Sequence, residues 1–161
     1  MKNLQARIEK LSRKLGGEFL VSIEWSAGSD GKPYWSATIQ SLRGFGHKFL
    51  CTLYGQNPLK CLKAIRKDVD GVLPHSYATI PGKPSRRLGL RAMARLAKEA
   101  NLTSLQATFY PADAFGAARW SVCAQRSWNY GCFFSRFSDG GSSLEAQVSS
   151  ALSQALADMA A

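Results

Sequence analysis

Apolar residues along this chain follow two periods, and the switches between them mark its elements. Leu4, Ile8, Leu11 and Leu15 recur at helical spacing and stop at Gly16-Gly17, which predicts a short amphipathic helix. In "EFLVSIEWS", Phe19, Val21, Ile23 and Trp25 alternate with Leu20, Ser22, Glu24 and Ser26. That period of two predicts a strand with one buried face. "AGSDGKP" is rich in turn formers and reads as a loop. "YWSATIQ" alternates again, with Trp35, Ala37 and Ile39 on one face, and "HKFLCTLY" follows as a third strand. "GQNP" then opens a helix carrying Leu59, Leu62, Ile65 and Val69, with Asn57 as its N-cap and Pro58 as its first residue.

The pattern then occurs a second time. Trp35 and Trp120 stand 85 residues apart. The same offset joins Ser36 to Ser121, Gly46 to Gly131, Phe49 to Phe134, Gly55 to Gly140 and Leu59 to Leu144. Such agreement implies an internal duplication. A helix over 85–100, with Leu88, Ala92, Leu96 and Ala100 on one face, opens the second copy. Strands are expected around 103–110, 118–126 and 130–137. "SDGGSS" precedes a closing helix that buries Leu144, Val148, Leu152 and Met159. The expected fold is α+β, with two pseudo-repeats of helix, three-stranded antiparallel sheet and helix packed together. The first repeat spans 1–74 and the second 85–161. The segment 75–84, within "PHSYATIPGKPS", reads as the linker.

Each copy has the element order of the double-stranded RNA-binding domain, which the unit resembles. The resemblance implies duplex contact from three regions. They are Gln5 and Glu9 on the first helix, the loop around Ser29 to Pro33 with Lys32, and Lys60, Lys63 and Lys67 on the closing helix. The second copy reads "GGSSLEAQVSS" at that helix, without lysine. The first copy is therefore expected to bind and the second to serve as scaffold.

Charge sharpens this picture. The net charge is +10, which favours polyanionic partners. Residues 1–80 hold 12 Lys and Arg against 6 Asp and Glu, residues 81–100 hold 6 against 1, and residues 101–161 hold 3 against 4. Arg87, Arg91, Arg95 and Lys98 form a stripe on the helix near residue 90, opposed only by Glu99. A helix held for structure alone normally mixes signs, so the stripe points to nucleic acid. Tyr110, Arg119, Phe133 and Phe137 fall on the polar register of the second copy's strands. They form a candidate platform for stacking unpaired bases, or a sheet-to-sheet or dimer contact.

Chemistry is sparse by comparison. His47 and His75 have no carboxylate pair nearby in sequence, and Asp68 with Asp70 makes no metal motif. Cys51, Cys61, Cys123 and Cys132 form no CxxC pair, so thiols in a reducing compartment are expected. No enzyme, cofactor or metal is expected. No apolar run approaches a membrane span, and the N-terminal segment lacks the apolar core of a secretory signal, which together predict a cytoplasmic protein. The expected function is nucleic-acid binding, with the double-stranded form favoured and phosphates as the main contacts. The alternatives are single-strand binding on the aromatic sheet, or an interaction protein that inhibits an acidic partner; a homodimer stays open.

Overall fold

The structure, a computed structural model, describes residues 1–17, 19–28, 32–41, 49–68, 76–80, 83–112, 116–126, 133–134 and 143–157. In chain order the elements are α1 (Lys2–Lys14), β1 (Phe19–Ala27), β2 (Pro33–Ser41), β3 (Phe49–Gly55), α2 (Pro58–Asp68) and β4 (Ser76–Ile80). They continue with α3 (Leu88–Glu99), β5 (Ser104–Tyr110), β6 (Arg119–Gln125), β7 (Phe133–Phe134) and α4 (Leu144–Ala157). The fold is α+β. The strands form one sheet in the order β4-β3-β2-β1-β5-β6-β7. Every pairing is antiparallel except β3 with β4, which is parallel.

The alternation read from the sequence decides which face is buried. Val21, Ile23, Trp25, Trp35, Ala37, Ile39, Leu105, Ala107, Phe109, Trp120, Val122 and Ala124 are all buried and share the face that the helices cover. Burying each large side chain there contributes about 1.5–3 kcal/mol before the cost of ordering it. The opposite face carries small polar residues linked across strands. Glu24 accepts hydrogen bonds from Ser26 at 3.2 Å and Ser36 at 3.3 Å, and the Thr38 and Thr52 hydroxyls are 2.8 Å apart. Among the described residues, no helix covers this second face.

The helices lie side by side on the first face. α2 packs on β2 and β3, and α4 packs on β6 and β7. α1 and α3 both rest on β1 and β5, touch each other, and α1 also reaches α4. The two central helices approach at Leu4 and Gly89. A Cβ on residue 89 would stand 2.8 Å from the Leu4 Cβ, so only glycine allows this contact. α1 ends as its sequence predicts, with Gly16 and Gly17 at φ +84° and +71°, a left-handed conformation that suits glycine.

Two expectations need correction. The segment 75–84, read as a linker, contains β4, an edge strand in register with β3 from Cys51↔Ser76 to Gly55↔Ile80. The flanking Pro74 and Pro81 obscured a short run of strand formers, and an edge position tolerates such neighbours. The buried face of α3 is Leu90, Met93 and Ala97, not the stripe through Leu88. Leu88 is 81% exposed. The helix is apolar on much of its circumference, so periodicity alone could not choose, and the contact at Gly89 sets the rotation. In α4 the buried residues are Leu144, Gln147, Val148, Ala151 and Ala155; Leu152 is partly buried and Met159 lies outside the described residues.

Candidate functional site

The approaches to α2 and α3 meet. The Ser85 backbone N–H donates to the Gln56 carbonyl at 3.4 Å. One residue later Asn57 caps α2, its Oδ1 accepting from the N–H groups of Leu59 at 3.2 Å and Lys60 at 3.4 Å. The expected cap is thus present. Between α3 and β1–β2, beside this junction, opens a cleft of about 470 Å³. Trp25, Pro33 and Trp35 line it from the sheet, Leu90, Arg91, Ala94 and Lys98 from α3, and Gln56 and Lys83 to Arg86 from the junction. A neighbouring recess of about 340 Å³ shares Trp25, Pro33 and Lys98 and extends it to Asn101 and Leu102. Lys83, Arg86, Arg91 and Lys98 bring four cations to the cleft, and among the described residues no carboxylate lines it.

The indole nitrogens of Trp25 and Trp35 matter here. The two residues are 3% and 7% exposed. Neither indole N–H has a hydrogen-bond partner among the described residues, yet no described buried side-chain nitrogen or oxygen is left without one. Each of these nitrogens therefore keeps some solvent-accessible surface.

A second cleft, of about 420 Å³, lies beside α1. Gln5, Glu9 and Arg13 line it from α1, and Phe109, Ala118 and Trp120 from the second half of the sheet. An offset of 85 residues carries Gln5 to Leu90, Glu9 to Ala94, Arg13 to Lys98 and Trp35 to Trp120. Four lining residues of one cleft thus match four of the other at that offset in the sequence, but their chemistry differs. In the second cleft the Trp120 indole N–H donates to Glu9 Oε1 at 3.1 Å. Gln5 Nε2 donates to the same carboxylate at 2.8 Å, and Gln5 Oε1 accepts the Leu144 N–H at the start of α4, at 3.0 Å. Ala94 stands where the matching carboxylate would be in the first cleft.

This geometry sorts the candidate residues. Gln5 and Glu9 are engaged inside the protein, joining α1 to β6 and α4, because α1 leans over the second half of the sheet. Lys60, Lys63, Arg87, Arg91 and Lys98 are exposed on α2 and α3 or at their starts, as are Lys83 and Arg86. Both helices cover the same face of the sheet, so these cations share one side of the molecule. Arg95 is exposed as well, but Nε lies 3.7 Å from Glu99 Oε1, one turn on. Lys32 is exposed just before β2; Ser29 to Gly31 lie outside the described residues. Lys67 falls in the last turn of α2, and its side chain is not among those described. The sequence reading overlooked Lys83 and Arg86 as part of a lining, and the two indoles as its floor; the turn signals around Pro84 hid how this segment folds back on Gln56.

The other candidate group is only partly assembled. Tyr110 and Arg119 are cross-strand partners, with the guanidinium carbon 5.2 Å from the ring centroid. They lie on the face away from the helices. Burial pushes the Tyr110 phenol above its ordinary value, and the Arg119 guanidinium pulls it part of the way back. The Phe133 backbone pairs in register with Ala124 on β6, and its side chain is not among those described. Phe137 lies outside the described residues.

Among the described residues no group of three potential metal ligands is present, and no helix is long and apolar enough to cross a membrane. No family model matches this chain, and neither does any curated protein or solved structure.

Proposed function

We propose that this is a non-enzymatic, cytoplasmic nucleic-acid-binding protein that grips phosphates, preferably those of a duplex, from the side bearing α2 and α3. One observation carries the reading. Seven exposed cations, Lys60, Lys63, Lys83, Arg86, Arg87, Arg91 and Lys98, flank the junction of two helices, and none has an ion-pair partner among the described residues. Such self-repulsion is unfavourable unless a polyanion relieves it. We further propose that the chain is a duplicated helix–three-strand–helix unit. Support comes from the β1–β5 pairing, in which Val21 faces Phe109 and Trp25 faces Leu105 around a central Ile23–Ala107 pair. An 84-residue offset exchanges those flanking pairs, as a pseudo-twofold axis through the centre requires. The matching linings of the two clefts add to this.

The test is fluorescence anisotropy with duplex and single-stranded oligonucleotides over a salt series. Seven phosphate contacts give a log–log slope of affinity against salt of about −6, at roughly 0.9 per contact on a duplex. Lys60→Glu with Lys63→Glu should abolish binding without loss of circular dichroism, while Ser149→Glu with Gln154→Glu, exposed on α4, should change little. A flat salt dependence would sink the reading and favour stacking or a protein partner instead. The Tyr110–Arg119 pair favours a second reading, single-strand binding on the open sheet face. That reading gains if the lysine reversals are silent and single strands outcompete duplex.

A further inference from the structure

We propose that the cleft between α3 and β1–β2 seats a phosphate-bearing nucleotide, with a phosphate oxygen accepting the Trp35 indole hydrogen bond. The choice of a nucleotide over other anions rests on the nucleic-acid reading above; the choice of an anion does not. The second cleft shows what its counterpart lacks. There the indole N–H of Trp120 meets an internal carboxylate, Glu9, at 3.1 Å. In the first cleft the corresponding position is Ala94, and the N–H of Trp35, a residue 93% buried, has no partner among the described residues. Among the described residues, four cations line this cleft, against Arg13 alone in the counterpart. An oxyanion entering from solvent would therefore meet a donor on a rigid aromatic and positive charge in the same lining, with no carboxylate among the described lining residues to oppose it.

The rest of the lining suits what a phosphate carries. Trp25, Pro33, Leu90 and Ala94 give an apolar wall, and about 470 Å³ exceeds what a bare phosphate needs and lies within the range of small-molecule sites. The cleft opens beside the α2–α3 junction, so a strand held there by its backbone could place one nucleotide inside it. A free mononucleotide has the same chemistry, and the experiment separates the two sources.

The measurement is the ¹H–¹⁵N spectrum of the tryptophan indoles, with the Trp35 peak assigned by its disappearance in Trp35→Phe. The probes are AMP, an oligonucleotide and a hexaglutamate peptide. The Trp35 peak should move with AMP or with the oligonucleotide. Ala94→Glu, which installs the carboxylate of the other cleft, should weaken that binding about tenfold to a hundredfold, the factor carried by one hydrogen bond to a charged group. Displacement of AMP by the oligonucleotide identifies a strand as the source; saturation by AMP without competition identifies the free nucleotide. Should Ala94→Glu fail to fold, Lys98→Glu on the exposed rim reads the same loss. A Trp35 peak that ignores both nucleotide probes overturns the proposal, as does one that moves only with hexaglutamate. If oligonucleotides bind with the expected salt dependence while Trp35 stays still, the cleft proposal fails and the general reading stands. If AMP moves Trp35 and no oligonucleotide binds, the general reading fails and the cleft survives.

Discussion

Replacing Glu9 with alanine should loosen the tie between α1 and the second half of the sheet. The carboxylate accepts from Trp120 at 3.1 Å and from Gln5 at 2.8 Å, and Gln5 in turn accepts from the first N–H of α4. A hydrogen bond to a charged group contributes about 1.5–3 kcal/mol net. The two losses will not add in full. The Gln5 amide can turn to water, and the adjoining cleft of about 420 Å³ is roomy enough to bring water to the Trp120 nitrogen. The expected cost of Glu9→Ala is therefore about 1–2.5 kcal/mol, read as a lower urea midpoint at unchanged slope. Glu9→Gln keeps an acceptor oxygen and should lose under half as much. Trp120→Phe removes the donor, and the double-mutant cycle with Glu9→Ala should return a coupling of about 1 kcal/mol. A cost within about 0.3 kcal/mol of zero, or no coupling, would refute the reasoning. The contrast between Glu9 and Ala94 would then lose its energetic meaning, and with it the argument for a missing anion in the other cleft.

Two further outcomes test the frame around the clefts. Gly89→Ala would put a Cβ 2.8 Å from the Leu4 Cβ; neither atom can rotate away, so α1 and α3 must separate. The overpacking cost of about 1–3 kcal/mol outweighs a helix-propensity gain of at most about 1 kcal/mol, and calorimetry should show a fall in Tm of several degrees; an unchanged or higher Tm would contradict the close approach. The Tyr110 phenol titrates above its ordinary 10.0, so its neutral form is favoured by folding. That contribution is complete below pH 10 and is lost as pH rises through the raised value, because the unfolded chain gives up the proton first. Tyr110→Phe should flatten the fall in stability above pH 10 in urea titrations, and an identical alkaline profile would refute the shift.

Much of the frame was legible because it depends on local chemistry. Gly16-Gly17 ends α1, Asn57 caps α2, and period-two alternation in "EFLVSIEWS" and "RWSVCAQ" sorts core from surface. What escaped depends on which distant segments meet. β4 is a strand only because β3 offers an unpaired edge, and the Pro and Gly around it carry no hint of that edge. Gln5 and Glu9 read as exposed helix residues until α1 is seen leaning on Trp120, 111 residues away. The cleft itself draws on β1, β2, Gln56, the Lys83–Arg86 segment and α3. No single window of sequence contains more than a part of it.

The two clefts also bear on why the basic charge sits where it does. Stability alone would favour mixed signs on α3, yet among the described residues its one ion pair is Arg95 with Glu99, at 3.7 Å and with both side chains more than 60% exposed, where such a pair contributes little. The remaining cations are kept close together at some electrostatic cost. In the same region a buried tryptophan keeps its N–H without a partner among the described residues, although the cleft beside α1 shows that one glutamate on the neighbouring helix can occupy such a donor. Excess positive charge and an indole N–H left without a protein partner are separate features that a purely structural surface does not call for. Each could be met by an oxygen-bearing anion, and Trp35 and four of the cations line the same cleft beside α3. On the proposed reading one ligand answers both features, whereas in the second cleft Glu9 already holds the Trp120 indole N–H at 3.1 Å and Arg13 is the one cation among the described lining residues.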